Sequence, residues 1–171
     1  MKHILEATRQ RSRAAFTLIE MLIVIVILGI LAMVIIPQIS TSTDDAKLST
    51  LRTNLTSMRN VVEVYYAQHN NVYPGAVLGG AATPSEAFVQ QLTRYTDAAG
   101  NIATVKDATF KFGPYLKGGA LAMNPFNNKT DVTVDAVQAD ITVKASGGLT
   151  GWKFYAKTGV LIADDGAHDN E

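Results

Sequence analysis

The sequence predicts an α+β fold. A long N-terminal helix, apolar in its first half and amphipathic in its second, packs on a small antiparallel sheet. Three observations carry this reading. An apolar run extends from Phe16 to Ile36, broken only by Thr17 and Glu20. An apolar stripe then recurs at steps of three and four through Leu48, Leu51, Leu55, Met58, Val62 and Tyr65, the period of one helix face. From Gly75 onward the chain holds twelve of its thirteen glycines, and short alternating segments there read as strands.

The first fifteen residues carry Lys2, Arg9, Arg11 and Arg13 against the single acid Glu6, a net charge of +3. Met21 to Ile36 then runs sixteen positions without a polar side chain. Twenty-one residues from Phe16 to Ile36 make about 31 Å of helix, the thickness of a hydrocarbon core. Nine of the sixteen are Ile or Val, which favour strand in water. In lipid every backbone N–H must be satisfied within the segment, so a single span is helical. Basic residues before the span predict a cytoplasmic N-terminus and an extracytoplasmic remainder. No Ala-x-Ala site follows the apolar run, which argues against an ordinary secretory signal.

The amphipathic continuation covers 38–69. It is expected to stop at His69-Asn70-Asn71, with Pro74-Gly75 as breakers beyond. The stripe is expected to face the chain's own sheet, since two or three heptads are too few to require a coiled coil. Of Tyr65 and Tyr66, one ring is expected in the core and the other outside it. A second helix is signalled by Thr83 as cap, Pro84 in the first turn and Glu86 completing a capping box, with Phe88, Leu92 and Tyr95 on one face. Val132 and Val134 alternate with polar residues, as do Ile141 and Val143. Trp152–Tyr155 and Val160–Ile162 flank Lys157-Thr158-Gly159 as a hairpin. The resulting organisation is a basic leader (1–15), a transmembrane and assembly helix (16–37), its amphipathic continuation (38–69) and an extracytoplasmic head (70–171).

The composition excludes several functions. At 171 residues, 47% apolar and 18% charged, the chain is neither disordered nor long enough for two ordinary domains. With no cysteine there is no thiol nucleophile, cysteine-ligated zinc, redox pair or disulfide. Fifteen basic and fifteen acidic residues leave no net positive charge to support nucleic-acid binding. No Gly-x-Ser-x-Gly, His-Glu-x-x-His, Walker or Gly-x-Gly-x-x-Gly pattern is present, and no enzyme activity is expected.

Glu20 is the residue that demands an explanation. A carboxylate near the middle of a membrane helix costs about 2.5–3.5 kcal/mol, less near an end. With the leader attached, Glu20 can sit at the interface, with Arg13 as partner. With the leader removed after Ala15, a free α-amine appears on Phe16, four residues before Glu20. Between parallel copies, the amine of one can pair with Glu20 of another. An unpaired buried charge is strongly penalised, so such a pair sets register.

Phe16-Thr17-Leu18-Ile19-Glu20, behind a short basic leader and ahead of an apolar helix with Gly29 and Pro37, resembles the type IV pilins and the pseudopilins of type II secretion systems. The resemblance implies cleavage between Ala15 and Phe16 by a prepilin peptidase, N-methylation of Phe16, and a role for Glu20 in assembly. It implies a pilin-like fold and a homo-oligomeric filament, containing other pilin-like subunits and built from the inner membrane by an assembly platform. The filament then spans the envelope or extends from the surface. Ala15 departs from the glycine usual at the cut. Gly29 and Pro37, costing about 1 and 3 kcal/mol in a helix, mark the stretch most able to kink or melt, although membrane helices tolerate both residues.

His69–Pro74, Gly113-Pro114-Tyr115-Leu116, Met123-Asn124-Pro125-Phe126 and the closing hairpin resemble the G-like major pseudopilins, and the missing cysteines agree. That family is known for a calcium site in a C-terminal loop, which makes Asp164, Asp165 and Asp169 calcium candidates. EF-hand spacing is absent, however, and the pattern favours a solvated acidic tail with no cofactor. The reading that follows is a structural subunit of a type II secretion pseudopilus, serving protein export. A type IV pilus subunit (adhesion, motility, DNA uptake) is the alternative, and a membrane-anchored, non-polymerising binding domain the more distant one.

Overall fold

The computed structural model describes residues 16–140, 142 and 147–171. Among these residues two helices and five strands follow in the order α1 (Leu18–Gln68), α2 (Pro84–Thr93), β1 (Tyr95–Thr96), β2 (Ile102–Ala103), β3 (Val132–Asp135), β4 (Trp152–Tyr155) and β5 (Val160–Ala163). The chain divides into two units within α1, between Thr43 and Asp44. The fold class is α+β, as the sequence predicts.

In the second unit, the α1 stripe supplies the core. Leu51, Leu55, Met58, Val62 and Tyr65 are all buried and join Phe88, Leu92, Leu121, Val132, Trp152, Phe154 and Leu161 in one cluster. Leu48, the first of the stripe, packs against its edge. Burial of each such side chain contributes about 1.5–3 kcal/mol. Tyr65 lies inside, while Tyr66 stays half-buried and stacks on Tyr73 at 4.2 Å.

Asparagine ends α1. Asn70 and Asn71 take φ of 56° and 60°, the left-handed region that asparagine tolerates better than most residues. The Asn71 amide reaches back to the Tyr66 carbonyl at 3.1 Å, the return of a Schellman-type end. His69 turns inward at the same point. Its ring stacks on Tyr65 with centroids 3.7 Å apart, its Nδ1–H donates to the Tyr65 carbonyl at 2.8 Å, and its Nε2 accepts from Thr96 Oγ1 at 2.9 Å. These partners fix the neutral tautomer.

α2 begins on its cap. The Glu86 amide donates to Thr83 Oγ1 at 3.2 Å, and Pro84 occupies the first turn. The Glu86 carboxylate accepts from the Ala82 amide at 3.0 Å, one residue before the cap rather than from the cap itself. Phe88 and Leu92 are buried as expected, but Tyr95 is not on this helix. α2 ends at Thr93, and Tyr95 opens β1. On α2 the buried polar side chain the sequence reading missed is Gln91. It accepts from the Gly75 amide at 2.8 Å and donates to the Val77 and Gly100 carbonyls, pinning two loops to the helix.

The main sheet has the order β3-β4-β5 and is mixed, which corrects the expected antiparallel sheet. β3 runs parallel to β4, with Val132 opposite Trp152, and β4 pairs antiparallel with β5, Trp152 opposite Ala163. A parallel pair needs a crossover of about a dozen residues or more, and the chain between Asp135 and Trp152 provides it. Ile141 and Val143, expected as strand, lie outside the described residues. The β4–β5 hairpin is present and turns at Gly159, with φ of 74°. A Cβ there would lie 2.3 Å from Tyr73 Cζ, so the turn needs glycine for conformation and for space. The small β1–β2 pair, Thr96 opposite Ile102, was not signalled by the sequence.

Two expectations follow. The Tyr65 hydroxyl is buried without a hydrogen-bond partner among the described residues, an arrangement that costs about 1–3 kcal/mol. Tyr65→Phe is therefore expected to raise the urea midpoint, whereas Leu55→Ala lowers stability by about 2–5 kcal/mol; a Tyr65→Phe chain weaker than wild type would contradict this. Burial pushes the His69 pKa below 6.5, against the opposing pull of the Tyr65 carbonyl and Asp97. The folded state thus resists a proton that the unfolded state accepts. Stability is full above pH 6.5 and falls as pH drops from there toward the folded value. Urea midpoints measured across this window should fall for the wild type and fall less for His69→Gln; equal slopes in the two proteins would refute the assignment.

Candidate assembly site on the N-terminal helix

The first unit contains the start of α1. Every described side chain from Phe16 to Met33 is exposed, with Phe16 at 75%, Leu18 at 85% and Ile27 at 51%. The side chains described in this apolar run stop at Met33. Among the described residues no helix is long and apolar enough to cross a membrane.

Glu20 sits in the first turn of this exposed apolar helix. Its Oε2 accepts from the Thr17 amide and from Thr17 Oγ1, each at 2.8 Å, and its own amide donates to Thr17 Oγ1 at 3.3 Å. This is a reciprocal capping box, and it satisfies two donors at the helix start. The helix dipole places partial positive charge there, which favours the carboxylate. Thr17 is the site residue the sequence reading missed. Its signal, Thr-x-x-Glu, was legible, but the apolar run around it drew the attention. The geometry offers a carboxylate already oriented at a helix end and surrounded by apolar surface, suited to receive a cation such as an ammonium group.

Ala15, the residue before the expected cut, lies outside the described residues, and Phe16 is the first residue within them. Gly29 and Pro37 both fall inside the helical run. A Cβ at Gly29 would meet nothing within 4 Å, so close packing within this chain does not require glycine there.

The acidic tail differs from the solvated stretch expected of it. Asp164 is buried. Its Oδ1 accepts from the Gly147 and Gly148 amides, and its Oδ2 accepts from the Thr150 amide at 3.0 Å and hydroxyl at 2.7 Å. Asp165 Oδ1 accepts from the Ala167 amide, the His168 amide and His168 Nδ1, each at 3.0 Å, and its Oδ2 from Asn124 Nδ2 at 3.1 Å. Burial alone would raise both carboxyl pKa values. For Asp164 the Thr150 hydroxyl and the surrounding amides outweigh it, and for Asp165 the Ala167 amide and Asn124 do, so both are held below 3.8. The Glu171 carboxylate pairs with Arg52 at 2.6 Å, and Arg59 Nη2 donates to the Glu171 main-chain oxygen at 2.6 Å. Asp169 is half-buried beside Asn170. The tail is folded back because its acids meet N–H donors on three neighbouring segments. Asn124 is fully buried and also donates to the Gly151 carbonyl, which gives the Met123–Phe126 segment a structural role.

Among the described residues no three His, Asp or Glu side chains are placed to hold a metal ion. An open groove lined by Arg59, Glu63, Gly159, Val160, Leu161 and Glu171 brings no nucleophile and base together.

The family described as the prokaryotic N-terminal methylation motif matches residues 10–36, which includes the Thr17–Glu20 cap. The chain is 34% identical over 71 residues to type II secretion system core protein G of Pseudomonas aeruginosa, covering 42% of this chain and 49% of that protein. It is 30% identical over 94 residues to core protein G of Klebsiella michiganensis, covering 55% and 66%. Against core protein G of Aeromonas hydrophila it is 28% identical over 120 residues, covering 70% and 72%. The chain thus spans between about half and seven-tenths of the length of these curated relatives. No solved structure matches it. The methylation motif over the capped, apolar helix start and the likeness to core protein G together support a pseudopilin reading of this chain.

Proposed function

We propose that this chain is a structural subunit of a pseudopilus serving type II secretion, and not an enzyme. The observation that carries the proposal is the first unit of α1, an exposed apolar helix with one carboxylate held at its start. Apolar surface on this scale is stable only in lipid or against other helices. A precursor anchored by α1 in the inner membrane, N-terminus in the cytoplasm, meets the first condition. A filament whose core is a bundle of α1 helices meets the second.

In this mechanism, cleavage between Ala15 and Phe16 frees the Phe16 amine, which is then methylated. Thr17 holds the Glu20 carboxylate at the helix start, ready to receive the amine of a neighbouring subunit. Pairing lets only one axial stagger satisfy both charges, so the same contact attracts the incoming subunit and sets its register. Gly29 and Pro37 supply the stretch that yields as the helix leaves lipid for the filament. Other pilin-like subunits, the prepilin peptidase and an inner-membrane platform are the partners this sequence of events requires.

Replacing Glu20 with Ala is expected to leave membrane insertion intact and to abolish assembly. The unpaired amine in an apolar core would cost about 3–5 kcal/mol per contact. Cross-linking and electron microscopy of sheared filaments report this, and normal filaments from Glu20→Ala would sink the proposal. The intact mass of the mature chain is the second check: it should lack Met1–Ala15 and carry one added methyl group. A retained leader would favour a membrane-anchored domain that does not polymerise.

A further inference from the structure

The family resemblance implies a calcium site in the C-terminal loops, and the donor chemistry there does not fit one. Calcium takes about six to eight oxygen ligands at 2.3–2.6 Å and needs lone pairs directed at the ion. A carboxylate offers about four lone-pair sites. On Asp164 four N–H and O–H donors point at the two oxygens, from Gly147, Gly148 and twice from Thr150. On Asp165 another four arrive, three on Oδ1 from Ala167 and twice from His168, and one on Oδ2 from Asn124. An ion placed before either carboxylate would meet the positive ends of these N–H dipoles. Glu171 is held by Arg52, and among the described residues Asp169 joins no group of three His, Asp or Glu placed for an ion.

We propose that in this chain the Asp164 and Asp165 carboxylates themselves close the C-terminal loops, as internal acceptors for amides that converge on them, and that the head folds and holds without calcium. Asp164 ties the segment before β4 to the end of β5, since its donors lie at 147–150 and it follows Ala163 directly. Asp165 ties the tail to Asn124, whose other bond reaches the Gly151 carbonyl. The two acids thus join three segments that a cation would otherwise cross-link. The inference concerns the head alone and is read independently of filament assembly.

The test is thermal unfolding of the full-length chain in detergent, followed by near-ultraviolet circular dichroism, in which buried Trp152, Tyr65 and Tyr155 report packing. Wild-type midpoints are expected to coincide in EGTA and in millimolar calcium chloride. Asp164→Asn sets an NH2 group against the converging donors, and its midpoint should fall by about 5 °C or more in both solutions. If Asp164→Asn does not fold, Thr150→Val removes only the hydroxyl donor and should give a smaller drop, again without regard to calcium. A saturable, calcium-dependent rise of the wild-type midpoint would overturn the proposal, and so would variants that melt with the wild type.

Discussion

Burial of the stripe Leu51, Leu55, Met58, Val62 and Tyr65 fixes where every other element of the head can go. A helix of this length has one hydrogen-bonding pattern but two kinds of surface, and only the second half of α1 has a stripe. α2 and the mixed sheet complete that core through Phe88, Leu92, Val132, Trp152 and Phe154. Once they do, the stripe is not available for a coiled-coil seam. In the first half the apolar residues encircle the helix, and every described side chain from Phe16 to Met33 is exposed. One helix therefore has one folding requirement, met inside its own chain, and a second, cover for its exposed apolar start, that the described residues of the chain do not meet.

The capping box refines the electrostatics of that second requirement. A carboxylate on an apolar helix costs least where the helix supplies its own donors, and Thr17 supplies two. The same bonds orient Glu20. An acid placed further along α1 would find no free amide, because interior amides are committed to carbonyls four residues back. Position in the first turn is therefore what allows one residue both to stabilise its own helix and to face a cation.

How much was legible follows from how local each signal is. The α1 stripe, the Thr83–Glu86 cap, the Asn70–Asn71 helix end and the closing hairpin are written in a few adjacent residues, and the structure shows them. The parallel pairing of β3 with β4 was not legible, because Val132–Asp135 alternates the same way whichever neighbour it takes. Gln91 and Asn124 also escaped notice. Apart from the Phe126 amide on Asn124 Oδ1, their side-chain partners lie nine to forty-one residues away, and no spacing rule links those in advance. Asp164 and Asp165 were misjudged for a related reason. Acids near a chain end read as solvated, unless one knows that amides at 147–150 and 167–168 converge on them. At the candidate site, Glu20 was conspicuous as a charge in oil, whereas Thr17 was hidden by its ordinary size and polarity.

Without a disulfide, a head with so many loops needs another way to hold them, and its aspartates supply one. Asp97 Oδ1 accepts from the Ala99 and Asn101 amides, Asp107 from Thr109 and Phe110, Asp135 from Val137 and Gln138, and Asp164 and Asp165 as described. Each accepts from amides of its own turn or of an adjoining segment, adding to the bonds the backbone makes there. This changes the meaning of the net charge. Leader and remainder carry +3 and −3, and the remainder holds fourteen acids against eleven basic residues. Several of those acids, however, are directed at amides within the head. The carboxylates are held below 3.8 at Asp97, Asp135, Asp164 and Asp165, with burial opposing and hydrogen bonds prevailing in the first and last two. Their contribution is present above 3.8 and is lost as pH falls through the lower folded values. Much of the negative charge of the head is thus fastening, directed at amides of its own chain.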